Sequence, residues 1–213
     1  MTYNHYIDHT ALKATTTKQE IETLCAEAKE HKFASVCVNP CFVPLCKKLL
    51  EGTKVNVCTV IGFPLGANGT STKVFEITKA ISEGATEIDM VMNISLFKSH
   101  QYDEVINEIK MCKTACSNAI LKVIVETCYL DDEEKKQAVA CVKRAGADFI
   151  KTSTGFGPSG ATVKDIQLFK KYAGKGLKIK ASGGINTHAQ MVELIKAGAN
   201  RIGTSKGTLI YKK

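Results

Sequence analysis

Phe149-Ile150-Lys151-Thr152-Ser153-Thr154-Gly155-Phe156-Gly157-Pro158 runs an apolar pair into a lysine, three hydroxyl residues and a glycine loop. Just before it, Arg144-Ala145-Gly146-Ala147-Asp148 has the form of a helix end with a glycine cap. Together the two stretches describe one unit: a helix closes, a buried strand follows, and the strand opens into a loop able to hold a ligand. A strand lysine behind Phe149 and Ile150 is unusual, since most lysines lie on solvated faces. It is either an edge-strand cation that discourages aggregation or a desolvated amine delivered to the strand's C-terminal edge. A desolvated amine near other cations loses its proton more easily and becomes a nucleophile toward carbonyls.

The same unit recurs along the chain. Glu83-Gly84-Ala85-Thr86 and Lys196-Ala197-Gly198-Ala199-Asn200 echo the glycine-capped helix end, each feeding an apolar run. Short apolar runs at residues 6–9, 34–38, 55–60, 87–91, 121–126, 149–152, 177–181 and 200–203 predict eight strands. Helical stretches lie between them. One opens at the capping box of Thr17 and Glu20 and presents Ile21, Leu24, Cys25 and Ala28 on one face. Others cover 40–50, 72–83, 102–116, a stretch capped by Asp131 with Glu134, 163–172, 188–197 and a short final 206–211. Strict β-α alternation with short connections implies a parallel sheet, and eight units are the number that closes a barrel. The fold class is therefore α/β, a single (β/α)8 TIM barrel over 1–213. An open doubly wound sheet is the alternative, but no Gly-x-Gly-x-x-Gly follows the first long strand.

Composition narrows the partners. Over 213 residues, 44% hydrophobic and 23% charged content is ordinary for a soluble globular chain with one sizeable core. No apolar run approaches a membrane span, and Met1-Thr2-Tyr3-Asn4-His5 lacks the basic and apolar regions of an export signal. A cytoplasmic protein without membrane contact is expected. Nine cysteines without a Cys-x-x-Cys pair then point to free thiols. The histidines do not complete a zinc set with Cys37, Cys41 and Cys46 or with Cys112 and Cys116, so no metal is expected. The net charge of +8 is almost wholly lysine, Arg144 and Arg201 being the two arginines. Scattered lysines without a basic run or aromatic interleaving argue against nucleic acid and fit a field that draws in a small anion.

In a barrel, function gathers at the C-terminal ends of the strands. Asp8 and Thr10 fall at the end of the first strand, Asp89 the fourth, Glu126 the fifth, Lys151 the sixth and Lys180 the seventh. Counting by twos, Lys178 shares a face with Lys180, and Lys122 with Ile124 and Glu126. Each charge alone fits half of a structural ion pair. Several converging on one barrel mouth fit a site. Lys180 near Lys151 disfavours protonation of one amine and Asp89 can carry protons between steps, a combination suited to Schiff-base chemistry. His9 lies beside Asp8 at a position facing away from the interior. Ser182-Gly183-Gly184 and Gly203-Thr204-Ser205 follow strands seven and eight, the recurrent phosphate position of these barrels, with Thr152 to Gly155 on strand six.

With these motifs in place, the sequence resembles the deoxyribose-phosphate aldolase family over nearly its whole length. The matching stretches include Ile7-Asp8-His9-Thr10, Val36-Cys37-Val38-Asn39-Pro40, Val60-Ile61-Gly62-Phe63-Pro64-Leu65-Gly66 and Glu87-Ile88-Asp89-Met90-Val91. They continue through Lys122-Val123-Ile124-Val125-Glu126-Thr127, the Lys151 stretch, Lys180-Ala181-Ser182-Gly183-Gly184-Ile185 and Arg201-Ile202-Gly203-Thr204-Ser205. The resemblance implies cofactor-independent cleavage of 2-deoxy-D-ribose 5-phosphate to acetaldehyde and D-glyceraldehyde 3-phosphate, in a cytoplasmic homo-oligomer, usually a dimer. It also implies that Lys151 is the Schiff-base lysine, Lys180 the lysine that perturbs it and Asp89 the carboxylate of the proton relay. Cys37 is implied as a thiol lining the substrate pocket, with Asp8, Thr10 and Lys122 as a supporting polar network. Thr152, Gly155, Gly183, Gly184, Gly203, Thr204 and Ser205 are implied at the substrate, the glycines and the last two hydroxyls around its phosphate. Asn186 stands where many members carry arginine and Ser159 where glycine is common; Tyr211-Lys212-Lys213 closes the short final helix, so the active-site role of a terminal tyrosine in some members is not carried over to Tyr211. The competing readings are another lysine-dependent aldolase acting on a different sugar phosphate and a catalytically silent barrel that binds anionic sugars or nucleic acid.

Overall fold

The computed structural model describes residues 3–212; Met1 and Thr2 of the N-terminal stretch and Lys213 of the closing tripeptide lie outside the described residues. Eight parallel strands close on themselves in sequence order: β1 (Ile7–Ala11), β2 (Ser35–Val38), β3 (Asn56–Ile61), β4 (Glu87–Val91), β5 (Ile120–Ile124), β6 (Phe149–Lys151), β7 (Lys178–Ser182) and β8 (Arg201–Thr204). Closure is made by β1 on β8, with Ile7 opposite Ile202 and Asp8 opposite Gly203. The helices are α1 (Lys18–His31), α2 (Val43–Leu49), α3 (Thr70–Ser82), α4 (Ile94–Lys98), α5 (Tyr102–Cys116), α6 (Asp132–Arg144), α7 (Val163–Ala173), α8 (His188–Ala197) and α9 (Gly207–Ile210). This is the (β/α)8 TIM barrel. Among the described residues no helix is long and apolar enough to cross a membrane.

Local chemistry explains the element ends. Thr17 and Glu20 form the expected capping box at α1, as do Asp131 with Glu134 at α6 and Thr187 with Gln190 at α8. Each such cap stabilises its helix by about 1 kcal/mol. The echoed glycines Gly84, Gly146 and Gly198 all take positive φ, the backbone turn that lets a helix end fold back into the next strand.

Several boundaries differ from the sequence expectation. Residues 40–50 split into a 3-10 turn, Pro40–Phe42, and α2, because Pro40 and Pro44 each begin a new helical segment. α4 is an additional one-turn helix between β4 and α5, capped by the Asn93 side chain. β5 stops at Ile124, two residues early, because Glu126 takes a left-handed backbone with φ of 54°.

Alternation divides the strand residues into two populations. Val36, Val38, Leu121, Val123, Ile150, Ile179, Ala181 and Ile202 face outward into the main apolar core beneath the helices. α1 buries Ile21, Leu24, Cys25 and Ala28 in the same core. The inward population is mostly polar: Asp8, Glu87, Asp89, Lys122, Lys151 and Lys180 are all buried, with Cys37, Cys58 and Val60 as a small separate apolar cluster. A barrel interior is filled by side chains, and this one is filled largely with charge.

Candidate active site

Strand register brings the charges together. Asp89 lies opposite Lys122, Lys151 opposite Lys180, and Lys180 opposite Arg201. Asp89 is the hub. Its Oδ2 accepts hydrogen bonds from Lys151 and Lys180, each at 2.7 Å, and its Oδ1 accepts one from Lys122 at 2.8 Å. Asp8 places Oδ2 2.6 Å from Lys180 Nζ and gives its other oxygen to Arg201. Below them, Glu87 lies 2.6 Å from Lys122 and 2.8 Å from Arg201, and it accepts a bond from Asn56. Every member of this network is buried or nearly so, so water screens the charges little.

The electrostatics follow from those contacts. Burial pushes the Asp89 carboxyl up, but Lys122, Lys151 and Lys180 together hold it well below the usual carboxylate range. For Asp8 burial is likewise outweighed, here by Lys180, Arg201 and Lys122. Burial works against the Lys180 ammonium, yet Asp8 and Asp89 hold it above the ordinary lysine range. Lys122 is likewise held above the ordinary lysine range, burial being overcome by Asp89, with Glu87 and Asp8 adding to it. Lys122 and Lys180 are therefore fixed cations.

Lys151 differs from both. Asp89 is its one carboxylate partner among the described residues, and it opens onto a cavity of about 750 Å³ at the C-terminal mouth of the barrel. Of the residues expected at the site, Thr10, Gly155, Gly183, Gly184, Gly203, Thr204 and Ser205 line this cavity with Lys151. Gly183 needs its missing side chain: at φ of 83°, an added Cβ would sit 3.0 Å from the Gly160 α-carbon. Asn186 also borders the cavity, and its amide donates to the Gly184 carbonyl.

Other expected residues sit one layer lower or to the side. Asp8, Asp89, Lys122 and Lys180 are fully buried beneath the cavity wall. Cys37 is fully buried too, its Sγ 3.9 Å from Asp89 Oδ2, and it does not reach the cavity surface. The Thr152 hydroxyl bonds both the carbonyl and the amide of Ser182, stitching the tops of β6 and β7 instead of facing the cavity. Glu126 does not join the charged cluster. Its left-handed backbone turns the carboxylate onto Thr154, where it accepts from both the amide and the hydroxyl. Lys178 shares a face with Lys180 but lies at the opposite end of β7, exposed, over the Phe149 ring. His9 faces outward to Glu27, and the Tyr211 hydroxyl pairs with His31 at the far end of α1.

Glu87, Arg201 and Cys58 were not foreseen. Glu87 had a signal, since it stands two residues before Asp89 on one strand and so shares its face. Cys37, Cys58 and Asp89 bring three metal-ligand atoms within 4.8 Å of one another. The donor set does not suit a cation, however. The Asp89 carboxylate already serves three ammonium groups, and Lys122 Nζ lies 3.3 Å from Cys58 Sγ. Burial, the hydrogen bond with Cys37 and the nearby Asp89 also push the Cys58 thiol well above its ordinary value, away from the thiolate a metal requires.

Residues 2–213 match the family model described as DeoC/LacD family aldolase. The chain is 54% identical over 210 residues to the deoxyribose-phosphate aldolase of Caldanaerobacter subterraneus subsp. tengcongensis, covering 97% of this chain and 91% of that protein. It is 53% identical to the enzyme of the same name from Bacillus subtilis, covering 100% and 96%. Among solved structures, the tetrameric deoxyribose phosphate aldolase from Aeropyrum pernix superimposes with a TM-score of 0.91 at 34% identity, covering 98% of this chain and 88% of that one.

Proposed function

The chain belongs to the DeoC/LacD family of aldolases, and on that premise we propose that it cleaves 2-deoxy-D-ribose 5-phosphate reversibly to acetaldehyde and D-glyceraldehyde 3-phosphate through a Schiff base on Lys151. The observation that carries the mechanism is the charge count inside the barrel. Lys122, Lys151, Lys180 and Arg201 are four cations in contact with three carboxylates, Asp8, Glu87 and Asp89. A buried surplus of one positive charge is relieved by the loss of one proton. Lys122 and Lys180 are held charged by two or more carboxylates each, and arginine does not deprotonate. Lys151, with one shared partner and access to the cavity, is the amine that can give it up.

The free amine of Lys151 adds to the aldehyde carbon of the open-chain sugar, and loss of water leaves the protonated imine. Removal of the proton from the C3 hydroxyl breaks the C2–C3 bond and releases glyceraldehyde 3-phosphate, while the bonding electrons pass to the imine nitrogen as an enamine. Protonation of the enamine at C2 and addition of water then free acetaldehyde and restore Lys151. Asp89, hydrogen-bonded to Lys151, is the group that passes these protons, while Lys180 keeps its charge beside it. The glycine-lined wall at 183–184 and 203–205 receives the phosphate through backbone amides.

No cofactor is needed for this sequence of steps, and its place is deoxyribonucleoside catabolism in the cytoplasm. The domain is the whole chain, 1–213, and we take the assembly to be a homodimer, which light scattering measures directly.

Borohydride reduction in the presence of acetaldehyde and a chelator, followed by peptide mapping, tests the central claim. Label on Lys151, and its loss together with turnover in Lys151→Arg, is the expected result. Label on Lys180, none at all, or activity that needs added zinc overturns it.

A further inference from the structure

Arg201 touches neither the cavity nor Lys151, yet it completes the charge surplus on which the free amine depends. It enters from β8, bonds Asp8 on β1 and Glu87 on β4, and spans the barrel floor beneath Lys180 and Lys122. Without it, the interior would hold three lysines against three carboxylates and no proton would be in excess. We propose that Arg201, held by Asp8 and Glu87, is a positioning residue that sets the charge of the barrel interior and so keeps the Lys151 amine free to attack a carbonyl. This inference rests on the Lys151 imine proposed above.

Every strand contributes a group to this balance. Asp8 comes from β1, Cys37 from β2, Cys58 from β3, Glu87 and Asp89 from β4, Lys122 from β5, Lys151 from β6, Lys180 from β7 and Arg201 from β8. Each carboxylate is shared between two or more cations, so a change of charge at one end is felt at the other. Arg201 draws on Asp8, Asp8 also serves Lys180, and Lys180 shares Asp89 Oδ2 with Lys151. A fixed cation at this position cannot itself be a proton donor or acceptor. Its buried, permanent charge acts as a constant. Glu87 has the opposite sign and the same depth, which makes the pair separable by substitution.

The arithmetic distinguishes this role from a structural one. Arg201→Gln leaves three cations against three carboxylates. Glu87→Gln leaves four against two. Arg201→Gln/Glu87→Gln leaves three against two and restores the surplus of one. The readout is the pH profile of borohydride trapping at Lys151 with acetaldehyde, by peptide mass mapping, on variants whose circular dichroism matches wild type. Arg201→Gln is expected to move the midpoint alkaline by about one pH unit or more. Glu87→Gln is expected to move it acid, the double variant to return it toward wild type, and Arg201→Lys to keep it in place. The same series in a Cys37→Ser background excludes a thiolate as the compensating charge, and the shifts should persist there. If Arg201→Gln does not fold, the acid shift in Glu87→Gln and the return in the double variant carry the test. Label at Lys151 in wild type with an unmoved midpoint in the variants, or a double variant shifted as far as Arg201→Gln, overturns the charge role alone. Absence of label at Lys151 in wild type overturns the imine reading and this inference with it.

Discussion

Lys151 and Lys180 share one oxygen: the Nζ of each lies 2.7 Å from Oδ2 of Asp89. Adjacent strands hold the two lysines in register, so both amines point to the same depth of the barrel. The sharing is unequal. Lys180 has a second carboxylate, Asp8, at 2.6 Å, whereas Lys151 turns toward the cavity. Two similar amines on neighbouring strands thus differ in setting, one held between two carboxylates and one open to the cavity, which is the division the proposed Schiff base on Lys151 requires.

Removing the fixed charge should disable the reactive one. Lys180→Leu leaves three cations and three carboxylates, and Lys151 then has Asp89 Oδ2 to itself. Activity at neutral pH should fall by roughly 10²-fold or more and recover partly toward alkaline pH, as Lys151 gives up its proton. Lys180→Arg keeps the charge in another shape and should retain more imine formation. The measurement is trapping at Lys151 across pH in wild type and both variants. Superimposable profiles for wild type and Lys180→Leu would leave Lys180 as a proton shuttle or a packing residue.

The same network makes stability depend on pH in a fixed direction. Burial raises the Asp89 and Asp8 carboxyls, but their cations hold both below the ordinary range, so each binds fewer protons when folded than when unfolded. The stabilisation is complete above the ordinary carboxylate pKa of about 4 and is lost as pH falls through it toward the lower folded values. The urea midpoint should be level between about pH 7 and 5 and decline below about pH 4. Asp8→Asn, which has no charge to lose there, should start lower and decline less steeply. Equal acid slopes for the two proteins would contradict this account.

Periodicity revealed which face a residue occupies better than how deep it lies. The eight strands, the capping boxes and the glycine echo at Gly84, Gly146 and Gly198 all rest on local backbone chemistry, which a short window of sequence contains. α4 was hidden because five residues are too few to show a period. Depth depends on barrel tilt and register, which are properties of the closed sheet. Lys178 and Lys180 share a face, yet one is in solvent and the other at the centre of the network. Cys37 lies on the inward face but below the cavity. Arg201 gave no sign of its role, because its partners Asp8 and Glu87 stand 193 and 114 residues away.

A second buried ion pair, outside the barrel interior, anchors the end of the strand that carries Asp89. Lys73 on α3 donates to Glu108 Oε2 on α5 and to the Val91 carbonyl, both at 2.9 Å, and neither side chain is more than 1% exposed. Glu108 uses its other oxygen to accept the Asn93 amide, so the pair grips the chain on both sides of Met92. Burial pushes the Glu108 carboxyl above its ordinary value even against Lys73, so this charge is held at some expense. Lys73→Met removes the compensating cation and leaves that carboxylate buried alone, a change that costs about 3–5 kcal/mol. The loss should grow as pH rises from about 5 to 8, because the uncompensated carboxyl must ionise or remain protonated at increasing cost. Lys73→Met/Glu108→Leu removes both charges and should recover most of the stability, since two apolar side chains of similar size need no compensation. Urea unfolding of the two variants at pH 5 and pH 8 decides the matter. A single variant within 1 kcal/mol of wild type at both pH values, or a double variant no more stable than the single, would show that the end of β4 is held by its backbone contacts alone.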